Sequence, residues 1–315
     1  MKTLDLKEEV RNGFLVSEKR KKIWACELEM LQRLLDVCQK HKLKCWMDSG
    51  SLIGAVRHHG YIPWDDDIDV VMMREDYDKL MVVGPQEFSY PFFFQSAYTD
   101  KNYFRGHIQI RNSTTTAILP EDFWRSFNQG IFIDVFPLDA LPEDDQCIKE
   151  LEDQSDFMMK QLCSYNYLGP INRGVFERIQ KLIKAYKIIG LNGFETYYRE
   201  FENLFRKEKI ADVKLVTKMA SFKTKYKGID KHIFDKTIWV DFENIKVPIP
   251  AAYDMYLRLM YGDNYMVPVQ SPSLHGEVIF ETDHSYVDVL PVIQKNLRAE
   301  SCKRVLKRFL GHKSK

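Results

Sequence analysis

Between residues 17 and 41, Trp24, Leu28, Leu31, Leu35 and Cys38 recur at alternating spacings of four and three. One apolar stripe of this kind predicts an amphipathic helix, with Ser17 as its N-cap. KCWM (44–47) then predicts a short strand, followed by the turn Asp48-Ser49-Gly50-Ser51 and an apolar helical turn from Leu52. Beyond a loop carrying Gly60 and Pro63, the run DDDIDVVMM (65–73) becomes β-branched and predicts a strand, and 75–83 a helix. In 104–111, Phe104, Ile108 and Ile110 alternate with Arg105, His107, Gln109 and Arg111. That is a strand pattern with one apolar and one polar face. The segment 131–136 reads as an apolar strand with one charge, Asp134, between Gly130 and Pro137. Long helical patterns fill 145–235, with a strand at 238–247 and a helix at 250–261 closed by Gly262.

Strands gathered early and helices later predict an α+β fold: a small mixed β-sheet flanked by helices, with a mostly helical C-terminal half. The corresponding divisions are a catalytic core over 1–144, a helical segment over 145–237 suited to an acceptor, a stretch over 238–294 completing the core, and a basic tail over 295–315. No internal repeat or low-complexity linker interrupts them.

Composition narrows the function classes. The 315 residues carry 46 Lys+Arg against 45 Asp+Glu, a net charge of +1 that gives no reason to expect nucleic acid as partner. No apolar run is long enough for a membrane span and the N-terminus lacks a signal-peptide pattern, so a cytoplasmic protein is expected. The six cysteines are scattered with no CxxC pair, which argues for structural thiols rather than a metal knuckle. Charge is uneven, however. Residues 295–315 hold eight Lys/Arg and one Glu, and in CKRVLKRFL (302–310) the apolar residues share one helical face. Such a tail suits peripheral contact with the inner face of an anionic cell membrane; the alternative is a frayed, solvated end.

The sharpest chemical signal is Asp65-Asp66-Asp67-Ile68-Asp69. On an extended chain Asp67 and Asp69 point to one side, and so would Asp65 if the strand began early; Asp66 points away. Carboxylates this close repel unless a hard cation sits between them. A solvated acidic loop is the plain alternative, but Trp64, Ile68, Val70 and Val71 embed the run in apolar chain. Sixteen residues earlier, Gly50-Ser51 offers a tight turn where backbone can approach an anion. Asp48 would orient that turn or cap its helix. Arg57 and Arg111 are candidates for neutralising phosphate, with a surface salt bridge as the alternative for each. His58, His59, His107 and His275 are candidate proton shuttles for which structural roles are preferred. Trp46, Tyr61, Trp64 and Trp124 could supply a cage for a quaternary ammonium, although aromatic core is the commoner use.

The stretch WMDSGSLIGAVRHHGYIPWDDDIDVVMMREDYDKL (46–80) closely resembles the signature of the LicD family. These are phosphotransferases typified by phosphocholine transfer to cell-surface glycans, and fukutin-related proteins share the motif. The resemblance implies a nucleotidyltransferase-superfamily fold with a Gly-Ser turn, an Asp-x-Asp pair and a third carboxylate on a later strand. Gly50-Ser51 matches the turn, Asp67 and Asp69 the pair, and Asp134 in GIFIDVFPLDAL the third acid. YGDNYMVPVQSPSLHG (261–276) resembles the family's Tyr-Gly-Asp-x-Met-x-Pro-Pro element, with one extra residue before Met266 and Val269 in place of the second proline.

The expected activity is transfer of a substituted phosphate, phosphocholine first, from a CDP-linked donor to a sugar hydroxyl of a cell-surface glycan or its lipid-linked precursor, as in lipopolysaccharide or teichoic acid synthesis. Asp67, Asp69 and Asp134 would be the catalytic and metal-binding acids, with Mg²⁺ as the ion and Mn²⁺ as substitute; Gly50, Ser51, Arg57 and Arg111 would hold nucleotide phosphate. CDP-ribitol or CDP-glycerol as donor, nucleotidyl transfer, and a non-catalytic scaffold are the alternatives.

Overall fold

The computed structural model describes residues 3–165, 167, 175–218, 228–270 and 277–311; His275, the end of the 261–276 element and the side chains of 300–315 lie outside the described residues. A hairpin, β1 (Glu9–Arg11) and β2 (Phe14–Val16), leads into α1 (Glu18–His41). Ser17 caps α1 by accepting from the Arg20 amide at 3.2 Å, and the whole apolar stripe of 24, 28, 31, 35 and 38 is buried. Next come β3 (Trp46–Met47) and α2 (Ser49–Ile53), which widens into a π-helical turn over 54–58. The helical turn therefore starts three residues before its expected place.

The sheet follows: β4 (Asp69–Met73), α3 (Arg74–Glu87), β5 (Phe92–Gln95), β6 (Ile108–Asn112), β7 (Thr116–Ile118) and β8 (Ile131–Ala140). β4 and β8 are parallel neighbours at its centre; β3 flanks β4, while β6 lines the first half of β8 and is itself flanked by β5. β8 runs through Pro137, where the sequence pattern suggested an end. The reason is local: β6 pairs with β8 only as far as Val135 and the next neighbour begins at Asp139, so no ladder partner is lost at the missing N–H.

The helical stretch contains α4 (Asp145–Ser164), α5 (Val175–Ile189) and α6 (Phe194–Leu204). Their apolar faces form a second core with Tyr103, Phe104 and Phe127. The segment does not stay helical, because β9 (Leu215–Thr217) and β10 (Ile229–Asp230) return the chain to the sheet, β9 on the second half of β8. The strand expected over 238–247 is a hairpin, β11 (Thr237–Phe242) and β12 (Ile245–Pro250), turning at Glu243 with φ of 52°. The order closes with α7 (Tyr253–Tyr261) ended by Gly262, β13 (Ile279–Glu281) paired with β7, and α8 (Tyr286–Gly311). The architecture is α+β. Among the described residues no helix is long and apolar enough to cross a membrane.

Candidate active site

The acids meet because of strand register. In the parallel β4–β8 ladder Asp69 is the partner of Asp134, and the Asp134 amide donates to the Ile68 carbonyl at 2.9 Å. Paired strands lie about 4.8 Å apart, so two carboxylates 65 residues apart in sequence share one face. Asp67 stands just ahead of β4 rather than inside it, since strand pairing starts at Asp69. What replaces the ladder there is Ser51: its hydroxyl accepts from the Asp69 amide at 3.0 Å and lies 3.5 Å from the Asp67 carbonyl.

The lead-in is pinned from both sides. Trp24 Nε1 donates to the Asp65 carbonyl at 3.0 Å and Arg20 Nη1 to the same oxygen at 2.6 Å. Glu243, at the tip of the β11–β12 hairpin, accepts a two-pronged pair from Arg11 and a 3.1 Å bond from the Tyr61 amide. Gly50 lies close against the acidic segment: a Cβ there would stand 2.6 Å from Asp65 Oδ2 and would push that carboxylate aside. The Gly50-Ser51 turn thus serves to seat the acidic segment against α2. This corrects its reading as an open phosphate cradle, because Ser51 is 4% exposed and its hydroxyl is spent on the backbone of 67 and 69.

Electrostatics follow from crowding. Burial first, then Asp65 and Asp69, push the Asp67 carboxyl well above the usual carboxylate range. Burial first, then Asp134, push Asp69 up to about 8, with Lys218 partly opposing. Asp134 is buried; its Oδ1 accepts from Gln109 Nε2 at 2.7 Å and lies 3.1 Å from His107 Nε2. Among the described residues no three His, Cys, Asp or Glu side chains stand gathered as a ready-made metal cage. The donor set nonetheless fits a hard cation. Mg²⁺ is usually held by one or two carboxylates with substrate phosphates completing its shell, and the buried, mutually repelling Asp67–Asp69 pair has that chemistry.

Of the two arginines read as phosphate ligands, Arg111 is corrected by its burial. Arg111 has no exposed surface; it donates to Gln95, to the Gly130 carbonyl at 2.7 Å and to Gln109 Oε1 at 2.6 Å, under Phe132 at 4.6 Å. Its place is structural, and through Gln109 it fixes Asp134. The alternating polar face of β6 is therefore not a wet face but a buried hydrogen-bonded layer. Arg57 donates to the Tyr265 carbonyl at 2.7 Å and to His58 at 2.9 Å, so it clamps the chain after α7. Asp66 remains half-buried beside the pair, with one buried oxygen unpartnered. Of the aromatic candidates, Trp46 bonds Thr237 at 2.9 Å and Tyr61 stacks on Trp24 at 4.5 Å, both deep in core.

Sequence reasoning missed Lys218. It follows β9 and ion-pairs with Asp48, with its ammonium 3.2 Å from Ser49 Oγ and 5.4 Å from the Phe136 ring centroid. Burial alone would raise the Asp48 pKa. The charge and hydrogen bond of Lys218, with Tyr256 Oη at 2.5 Å and Ser49 Oγ at 2.9 Å, outweigh it and hold Asp48 ionised below the usual range. Asp48 precedes α2 but makes no side-chain cap bond. It anchors the turn through Lys218 and Tyr256 instead.

Comparison with known proteins places this geometry. The LicD/FKTN/FKRP nucleotidyltransferase domain profile matches residues 42–180, which contain all three acids. The lipopolysaccharide cholinephosphotransferase LicD of Haemophilus influenzae is 25% identical over 252 residues, 76% of this chain and 89% of that protein. An uncharacterized protein of Rickettsia prowazekii is 38% identical over 72 residues, 22% of this chain and 27% of its own length.

Proposed function

We propose that the chain is a LicD-type transferase, as the domain match over residues 42–180 supports, and that it transfers phosphocholine from CDP-choline to a sugar hydroxyl of a cell-surface glycan such as lipopolysaccharide, or of its lipid-linked precursor. The observation that carries this reading is the register of Asp69 with Asp134 beside Asp67, buried acids close enough to raise one another's proton affinity. The Haemophilus relative, aligned over most of both chains, supports phosphocholine as the group transferred.

Asp67 and Asp69 would hold Mg²⁺, or Mn²⁺ in its place. The ion would neutralise the donor diphosphate and stabilise charge on the leaving nucleotide. Asp134, held by Gln109 and His107, is positioned to accept the proton of the acceptor hydroxyl as its oxygen attacks the choline-bearing phosphorus. The phosphorus–oxygen bond to the nucleotide then breaks and CMP leaves with the bonding electrons. Lys218 keeps α2 and its turn fixed against the acids during the step.

Incubation with CDP-choline, CDP-ribitol and CDP-glycerol, each with Mg²⁺ and a glycan acceptor, tests the reading. CMP should be released from CDP-choline fastest. Faster release from a polyol donor moves the assignment to that donor, and nucleoside monophosphate retained on the acceptor contradicts the phosphotransferase reading.

A further inference from the structure

A second polar cluster lies outside the acid site, in the core shared with the helices. Arg105 and Arg125 both place their guanidinium groups over Phe104, at 5.5 and 4.5 Å from its centroid, and Arg125 also lies over Tyr167 at 4.3 Å. Arg105 Nη2 donates to Asp122 Oδ2 at 2.6 Å, and Arg125 Nη2 donates to the Cys163 carbonyl at 2.7 Å. Arg125 is 7% exposed and, among the described residues, pairs with no carboxylate. Arg105 is thus paired with Asp122, whereas the Arg125 guanidinium has no acid of its own among the described residues.

Five buried atoms here have no hydrogen-bond partner: Arg105 Nη1, Arg125 Nε and Nη1, Asp122 Oδ1 and Gln129 Oε1. Buried polar atoms are seldom left so, and several gathered in one place have the chemistry to hold a polar ligand. The three nitrogens can only donate and the two oxygens can only accept. A single guest that satisfies both offers acceptor oxygens and at least one O–H, and the guanidinium charge of Arg125 favours an anionic one. Gln129 is not free to turn away, because its Nε2 donates to the Asp122 and Arg125 carbonyls at 3.1 and 3.2 Å.

From this arrangement we infer that Arg105 and Arg125, with Asp122 and Gln129, form an oxyanion subsite for a phosphate monoester carried by the second substrate. The guanidinium forks take its anionic oxygens, and Asp122 and Gln129 take its remaining proton and hydroxyl. Position supports the second substrate rather than the donor. Arg105 precedes by two residues His107, whose Nε2 lies 3.1 Å from Asp134 Oδ1, and the Tyr103 hydroxyl donates to the His107 carbonyl at 3.1 Å. The subsite thus stands on the Asp134 side of the acids, where the proposed transfer needs its acceptor. Arg105 retains 13% of its side-chain exposure, so the cluster is not sealed from solvent. Only the choice of substrate rests on the transfer reading; the subsite itself does not.

Titration of the full-length protein with inorganic phosphate, against chloride of equal ionic strength, reads binding without any turnover. Wild type and Asp67→Asn should bind phosphate alike. Arg125→Met should weaken binding by about tenfold or more, the scale of a lost charge-assisted contact. With the phosphate dianion, which brings no proton for Asp122 to accept, Asp122→Asn keeps an acceptor for Arg105, removes the repelling charge and should tighten binding several-fold. A merely structural role for Asp122 predicts the opposite sign, which keeps the inference testable if Arg125→Met does not fold. Saturating CDP-choline should leave phosphate affinity unchanged. Absence of phosphate binding in wild type, equal affinity in Arg125→Met, weaker binding in Asp122→Asn, or competition by CDP-choline would each overturn the assignment.

Discussion

Asp69→Asn and Asp67→Asn should each abolish turnover, by at least about a thousand-fold, which corresponds to ~4 kcal/mol of lost transition-state stabilisation. Stability should move the other way. Asp69 is pushed up to about 8 in the folded protein, whereas an unfolded carboxyl titrates near 3.9. The folded state therefore binds the proton more tightly, and the contribution of this group to stability declines as pH rises through the interval between those values. In metal-free buffer the melting temperature of wild type should fall between pH 5 and pH 8, and Asp69→Asn should flatten that fall. Thermal melts at both pH values check the sign, and initial rates of CMP release check the loss of turnover. A variant that keeps turnover within a few-fold of wild type would remove the acids from the reaction. One that loses turnover together with its fold would show the acids to be structural.

Lys218→Met carries the largest expected effect on stability. It strips the cation from a buried carboxylate, Asp48, whose exposure is 1%. Breaking one partner of a buried pair costs about 3–5 kcal/mol, since the remaining charge stays desolvated. At roughly 2–4 °C per kcal/mol for a chain approaching this size, melting should fall by about 10 °C. Adding Asp48→Asn to Lys218→Met should recover much of that loss, because the Asn amide leaves no charge to solvate and its oxygen still accepts from Tyr256. Additive losses in the double variant would mean that the two side chains act independently, contrary to their contact. Turnover in the rescued variant then reports whether Lys218 contributes anything beyond holding α2.

How much of this was legible in the chain depends on how local each feature is. Asp67 and Asp69 could be read from a two-residue spacing and their apolar flank; Asp134 stood out as a single charge in an apolar strand, and the LicD resemblance made it the third acid, which the ladder places opposite Asp69. The 17–41 helix, its cap and the Gly262 stop were equally local. Lys218 was not legible. It lies in a stretch where Lys and Arg are common, and its meaning depends on β9 returning to β8 after three helices. Arg111 was misread for a related reason. Alternation on β6 distinguishes two faces but says nothing of what covers the polar one, and here a buried layer of Gln95, Gln109 and the Gly130 carbonyl absorbs it. Arg57 finds its acceptor some 208 residues away, at the Tyr265 carbonyl. Ser51 was picked out for the right neighbourhood and the wrong task, since a hydroxyl in a turn can bond backbone as readily as ligand.

The central claim is that Asp67 and Asp69 bind a divalent cation against the donor diphosphate. Electron paramagnetic resonance titration of free Mn²⁺ tests it most directly, with wild type, Asp67→Asn and Asp69→Asn, each with and without CDP-choline. Wild type should bind the ion, CDP-choline should tighten that binding, and both variants should lose it. Mn²⁺ bound equally well by the Asn variants, or bound by wild type without any response to CDP-choline, would contradict the account.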